Sequence, residues 1–138
     1  MGTRGKVIVI QKDTEYLHVN NVKVFGKKNE NEERVDIGVI GHSSVWDDDY
    51  EKWGPDNALT EVSKNYYGYW HSNRGDHAPQ IDFSWSEERE VVFVEVTDRF
   101  DCCEDRFSDV EVLIRDSNQQ EISCGKKSYH GQESRTYR

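Results

Sequence analysis

Short runs of valine, isoleucine and phenylalanine, each closed by turn residues, recur along the chain. They predict strands at Lys6–Gln11, Leu17–Phe25, Gln80–Trp85, Glu90–Val96 and Val110–Arg115. Branched and aromatic side chains of this kind suit a pleated, half-buried surface. In Val110–Arg115 and Gln80–Trp85 apolar residues fall on every second position, so one face of each strand is set for a core and the other for water. That is the behaviour of antiparallel sheets packed as a sandwich. No window keeps apolar residues at helical spacing for long; Asp56–Lys64 has room for a turn or two. The pattern therefore predicts an all-β chain.

Residues 26–36 interrupt the pattern with mixed charges and almost nothing to bury, and are expected to form a solvated connector. No internal repeat is visible, and 138 residues suffice for one core and not for two, so the expectation is a single domain over residues 1–138.

Charge narrows the partners. A net charge of −9 repels phosphate backbones and anionic headgroups, which argues against nucleic acid and a lipid surface. The apolar runs are far shorter than the roughly 18–20 residues a membrane-spanning helix needs, so no membrane insertion by this domain is expected. Met1-Gly2-Thr3-Arg4 leads straight into a strand-like run, so no signal peptide is expected to begin there. Aromatic residues reach 12% of the chain, and many of its tryptophans and tyrosines lie outside the strand-like runs, in Trp46–Trp53 and Tyr66–Trp70. Aromatics in such polar stretches point to a binding surface.

The densest chemistry is Arg99-Phe100-Asp101-Cys102-Cys103-Glu104-Asp105-Arg106, directly after the strongest strand and so in a loop at one end of the sandwich. Two guanidinium groups bracketing a carboxylate suit a polyhydroxylated ligand, because each presents a fixed fork of donors and Asp101 can hold one of them in plane. A merely solvated charged loop has the same composition. Cys102 and Cys103 fit no zinc or thioredoxin-type spacing. Their Cα atoms lie about 3.8 Å apart across a trans peptide, closer than the roughly 4.4 Å usual for a disulfide. A strained vicinal disulfide and two free thiols both remain open.

His71, followed after 27 residues by Arg99-X-Asp101-X4-Arg106 with Cys102-Cys103 inside the last interval, resembles the binding motif of the F-type lectins, or fucolectins. The interval is one residue longer than usual for the family, and the excess falls in the polar, glycine-containing Ser72–His77 loop. From Val35 to Cys124 the chain looks like the first three quarters of the family domain, with His42-Ser43-Ser44, Pro55-Asp56-Asn57-Ala58-Leu59 and the His71 loop in order. Residues 5–10 and 15–26 look like its last two strands, standing at the opposite end. The resemblance thus implies a discoidin-like (F5/8 type C-like) jelly roll, circularly permuted, with Tyr137-Arg138 continuous with Arg4-Gly5 in the ordinary order. This permuted order is similar to that of the lectin domain carried by a cholesterol-dependent cytolysin.

By that resemblance His71, Arg99 and Arg106 hydrogen-bond terminal α-L-fucose, Asp101 orients an arginine, and a Cys102–Cys103 disulfide packs on the sugar. Tyr66, Tyr67, Trp70 and Trp46 are candidates to line the fucose methyl. Tyr69 and Asn20 stand where the family has a further disulfide, and Cys124 matches a cysteine whose partner is missing, so Cys124 is expected to be unpaired. The family also binds structural calcium. The corresponding places here, Asn21, Asn57 and Thr60 with Asn20 beside them, lack the carboxylates a hard cation wants, so no cofactor is expected to be required. The resemblance implies secreted protein and fucosylated glycans, of Lewis or blood-group type, on cell-surface glycoproteins or glycolipids as partners. A discoidin-type module for a protein or lipid headgroup is the alternative. Enzyme chemistry is not expected: Asp98, Asp101, Glu104 and Asp105 crowd one loop, whereas a glycosidase pair must flank its bond.

Overall fold

The computed structural model describes residues 3–59, 69–98, 107–128 and 134–137. Within them the chain is all-β, as the alternation predicts. In order come β1 (Thr3–Gln11), β2 (His18–Val19), β3 (Asn21–Lys28), β4 (Asn31–Arg34), β5 (Gly38–His42), β6 (Trp70–His71), β7 (Gln80–Thr97), β8 (Val110–Arg115), β9 (Glu121–Lys127) and β10 (Ser134–Tyr137). The pairings are antiparallel. Helical structure is limited to α1 (Tyr50–Trp53) and single 3-10 turns at Trp46–Asp48 and Pro55–Leu59. Residues 60–64 of the turn expected at Asp56–Lys64 lie outside the described residues. No helix among the described residues is long and apolar enough to cross a membrane.

The organising element is β7. The sequence reads it as two strands because Ser86–Glu90 is polar, yet it runs through as one strand of 18 residues, with that stretch exposed or half-buried. Its first half lies between β1 and β5, with Phe83 opposite both Ile8 and Val39. Its second half lies between β3 and β10, with Val94 opposite both Val24 and Tyr137. Register shifts at Gly5/Val7 and Phe25/Gly26 accompany a change of side-chain parity. Ile81, Phe83 and Trp85 point inward before it, and Val94 and Val96 after it. Bulges of this kind bend a strand and let one strand serve two layers.

From β1 the sheet continues to β8 and β9, and from β3 to β4. Side chains of both halves share one core, with Ile8, Ile10, Phe83 and Ile114 from one and Val22, Val24, Val94 and Tyr137 from the other. Each such burial stabilises the fold by about 1.5–3 kcal/mol. Tyr137 also donates its hydroxyl to the Val110 carbonyl at 2.8 Å, a bond from β10 to β8 that ties the halves together. The arrangement is sandwich-like.

Two ladder details bear on the chain order. Thr3 lies opposite Val91 and Tyr137 opposite Val94 on the same edge of β7, so β10 and β1 stand end to end with only Phe93 and Val92 between their partners. The stretch expected as a connector is solvated but ordered: β3 extends to Lys28 and pairs with β4. Asn29 and Glu30 turn the hairpin with φ of 52° and 73°. Two consecutive left-handed residues are the mark of a tight two-residue hairpin turn.

Candidate functional site

At one end of the sandwich the short β2–β6 ladder sets His18 opposite His71 and Val19 opposite Trp70. Reciprocal bonds close it: the Leu17 N–H donates to Ser72 Oγ at 2.9 Å, and the Ser72 N–H to the Leu17 carbonyl at 3.0 Å. The two imidazoles consequently pack with ring centroids 4.3 Å apart. His71 Nδ1 lies 2.6 Å from the Ser72 carbonyl. A carbonyl only accepts, so Nδ1 carries the proton, and in the neutral ring Nε2 is the acceptor.

Aromatic rings collar His71. Trp46 lies 4.7 Å from it, Tyr16 and Trp53 each 5.9 Å, and Tyr69 6.2 Å. Trp70, a candidate for sugar contact by sequence, is fully buried and donates its indole N–H to the Ser44 carbonyl at 2.9 Å. It therefore acts as a core lid that fixes the approach to Trp46, and Trp46, Tyr16 and Trp53 are half-buried rings of the collar.

Against His18 also stands Asp98, the residue that follows β7. Its Oδ1 is 3.7 Å from His18 Nδ1, and both side chains are 1% exposed. The Asn20 N–H donates to the Thr97 carbonyl at 2.7 Å. Arg99, Asp101, Cys102, Cys103 and Arg106, as well as Tyr66, Tyr67 and Thr60, lie outside the described residues. The described chain stops at Asp98, which lies against His18, and resumes at the buried Phe107. The third cysteine, Cys124 on β9, is half-buried, and burial pushes its thiol up to about 11, which keeps it protonated at neutral pH.

Three loops are tied into a rim around this cluster. Ser43 and Ser44 both donate to Asp76 Oδ2, at 2.6 and 2.5 Å, and Ser44 Oγ accepts from the Asn73 N–H at 2.9 Å. Glu15 accepts the Gly75 N–H at 2.5 Å. Burial alone would raise the Asp76 carboxyl, but the two hydroxyls and the Ala78 N–H outweigh it and hold the group below the usual carboxylate range. A depressed carboxyl contributes stability that is complete above its ordinary value and is lost as pH falls through the folded one. Asp76→Ala should therefore cost about 1 kcal/mol at pH 7 after screening by water. Urea titrations at pH 7 and pH 2.5 check this: the gap between variant and parent should narrow in acid.

The calcium places are a poor fit for a hard divalent cation. Asn20 and Asn21 are buried neutral amides, and Asn57 donates its amide N–H to the Lys52 carbonyl at 2.9 Å. Among the described residues no group of three or more His, Cys, Asp or Glu side chains is arranged to hold a metal. A shallow cavity of about 170 Å³ opens elsewhere, between Gln11, Lys12, Gln80, Glu111 and Lys126. It has no aromatic wall, and the aromatic His71 cluster is the better candidate on chemical grounds.

Sequence reasoning missed His18, Asp98, Tyr16, Trp53 and Tyr69. Trp53 and Tyr69 left a signal in the aromatic-rich stretches Trp46–Trp53 and Tyr66–Trp70, and Asp98 as an acid directly following the strongest strand; His18 and Tyr16 left none. No protein-family model matches the chain, nor does any curated protein or solved structure.

Proposed function

We propose that this chain is a lectin domain for terminal α-L-fucose, of the F-type on a circularly permuted, discoidin-like jelly roll, and that it performs no catalysis. The observation that carries the reading is the spacing of His71 ahead of Arg99-X-Asp101-X4-Arg106 with Cys102-Cys103 inside it. Its geometric support is that Asp98, the residue before Arg99, lies against the ring partner of His71. His71 and the residue preceding Arg99, far apart in sequence, thus both pack against His18. The end-to-end alignment of β10 and β1 supports the permuted order, since a single strand running from Tyr137 into Arg4 would follow the same edge of β7.

In this reading His71 Nε2 meets a sugar oxygen while its Nδ1 proton stays on the Ser72 carbonyl. Arg99 and Arg106 donate to neighbouring hydroxyls, Asp101 holds one guanidinium in plane, and the sulfur pair packs on a C–H face. A vicinal disulfide persists where the surroundings are oxidising, which agrees with secretion. The domain's task would be to bring an attached protein, a pore-forming toxin of the cholesterol-dependent cytolysin class, to fucosylated glycoproteins or glycolipids on cell surfaces.

The test is competition by free L-fucose on a fucosylated-glycan surface, with folded Arg99→Ala and Arg106→Ala variants beside the parent. Each change removes charged-donor hydrogen bonds worth roughly 1.5–3 kcal/mol, so affinity should fall at least about tenfold. Unchanged fucose binding in a folded Arg106→Ala variant would sink the assignment. Binding to a protein or to lipid vesicles that fucose cannot compete away would favour a discoidin-type module instead.

A further inference from the structure

One short segment of the chain holds both β6, which carries His71, and the end of β7, after which Arg99 follows. Within residues 18–21, His18 and Val19 pair with His71 and Trp70 of β6. The same segment reaches β7: the Asn20 N–H donates to the Thr97 carbonyl at 2.7 Å, and Asn21 stands opposite Thr97 in the ladder. Asp98 comes next, and Arg99 after it. A backbone strap therefore fixes β6 relative to the end of β7.

His18 completes the link with its side chain. Its ring packs against His71 with centroids 4.3 Å apart and planes at 60°. It also faces Asp98, with Nδ1 to Oδ1 at 3.7 Å, beyond hydrogen-bond length but inside the range of an ion pair. Both side chains are 1% exposed, so water does little to screen the attraction between carboxylate and imidazole. At that depth neither residue presents a surface to a sugar. Each is nonetheless one step from a residue of the motif: His18 touches the His71 ring, and Asp98 precedes Arg99 in the chain.

We propose that His18 and Asp98 are positioning residues for fucose recognition: the buried pair sets the spacing between His71 and the chain that leads into Arg99, and neither residue touches the sugar. The inference rests on the reading of His71 and Arg99 as fucose ligands. A ligand-holding side chain stays within about 0.5 Å of its working geometry only where neighbours behind it lock it in place. For His71 those neighbours are the Ser72 carbonyl on Nδ1 and the His18 ring. Loss of either member of the pair is therefore felt at His71 and in fucose affinity. Because the two act as one link, breaking it twice costs little more than breaking it once.

Two measurements test this. In the parent, nuclear magnetic resonance follows the imidazole nitrogens and the aspartate carboxyl carbons during a titration with L-fucose. The His18 and Asp98 signals should move together with those of His71, although both residues are buried. If His71 responds while His18 and Asp98 stay still, the positioning role is overturned. In the variants, calorimetry reads the fucose affinity of His18→Phe, Asp98→Asn and the double variant, with near-UV circular dichroism following the fold. His18→Phe keeps a ring beside His71 but removes the nitrogen that faces Asp98, and Asp98→Asn keeps the shape of the acid without its charge. Each single change should weaken binding about tenfold, and the double variant also about tenfold rather than about a hundredfold. Losses that multiply, or no loss in the folded single variants, overturn the link while leaving fucose recognition standing. Where a variant does not fold, the titration of the parent decides. If the parent binds no fucose, the reading of His71 fails and this inference with it.

Discussion

Trp70→Ala should lower the stability of this domain by about 4–6 kcal/mol and abolish sugar binding with it. Removing a fully buried tryptophan costs roughly 3–5 kcal/mol through lost burial and the cavity left behind. The Ser44 carbonyl then loses the indole donor that holds it at 2.9 Å. That carbonyl precedes Trp46 by two residues, so the wall beside His71 loosens even in molecules that stay folded. Trp70→Phe separates the two effects, since most of the apolar volume remains and only the hydrogen bond goes. It should cost about 2 kcal/mol and, because the Ser44 carbonyl still loses its donor, weaken fucose binding without abolishing it. Urea denaturation followed by far-UV circular dichroism reads the stability, and fucose competition the site. A Trp70→Phe variant that is folded but blind to fucose would mean that the indole touches ligand, contrary to its burial.

Trp70 and Trp46 also mark the limit of what the chain discloses before it folds. Both stand in polar, aromatic-rich stretches, and no local feature says which is lid and which is surface. The distinction comes from the pairing of β6 with β2, residues more than fifty positions apart, which turns Trp70 inward opposite Val19. The same long-range pairing brings His18 to His71, and the sequence holds no trace of it. By contrast the sequence singles out His71 by a spacing to Arg99, a signal that needs no coordinates. Strands divide in the same way. Val110–Arg115 alternates buried and half-buried side chains along its whole length, and its predicted bounds match β8. The side chains of β4 are all exposed, and those of β9 nearly so. Such strands are held by backbone ladders that any non-proline sequence can make, so no periodicity announces them.

Removing residues 129–138 should leave the rest of the chain unfolded, whereas moving the chain ends should not. Truncation takes away β10, and with it Tyr137, which is fully buried and bridges to the Val110 carbonyl. Losing a buried aromatic side chain costs about 3–5 kcal/mol. The ladder from Thr97 to Val94 would be stripped on one edge as well. Against a total stability of about 5–15 kcal/mol for a domain of ordinary size, that loss is enough to depopulate the native state. A rearranged chain that opens between Asn29 and Glu30 and joins Arg138 to Thr3 through one or two glycines keeps every one of these contacts. The join spans only the stretch facing Phe93 and Val92, and the opening removes a turn of two left-handed residues from an exposed hairpin. Exchanging one short closure for another changes the chain entropy by about 1 kcal/mol, so the melting temperature should move by only a few degrees. Circular dichroism melts of the truncated and rearranged chains, with L-fucose competition on the second, decide the matter. A truncated chain that melts like the parent would show that β10 contributes little. An unfolded rearranged chain would show that β10 and β1 do not behave as one interrupted strand, and would remove the main geometric support for the permuted order.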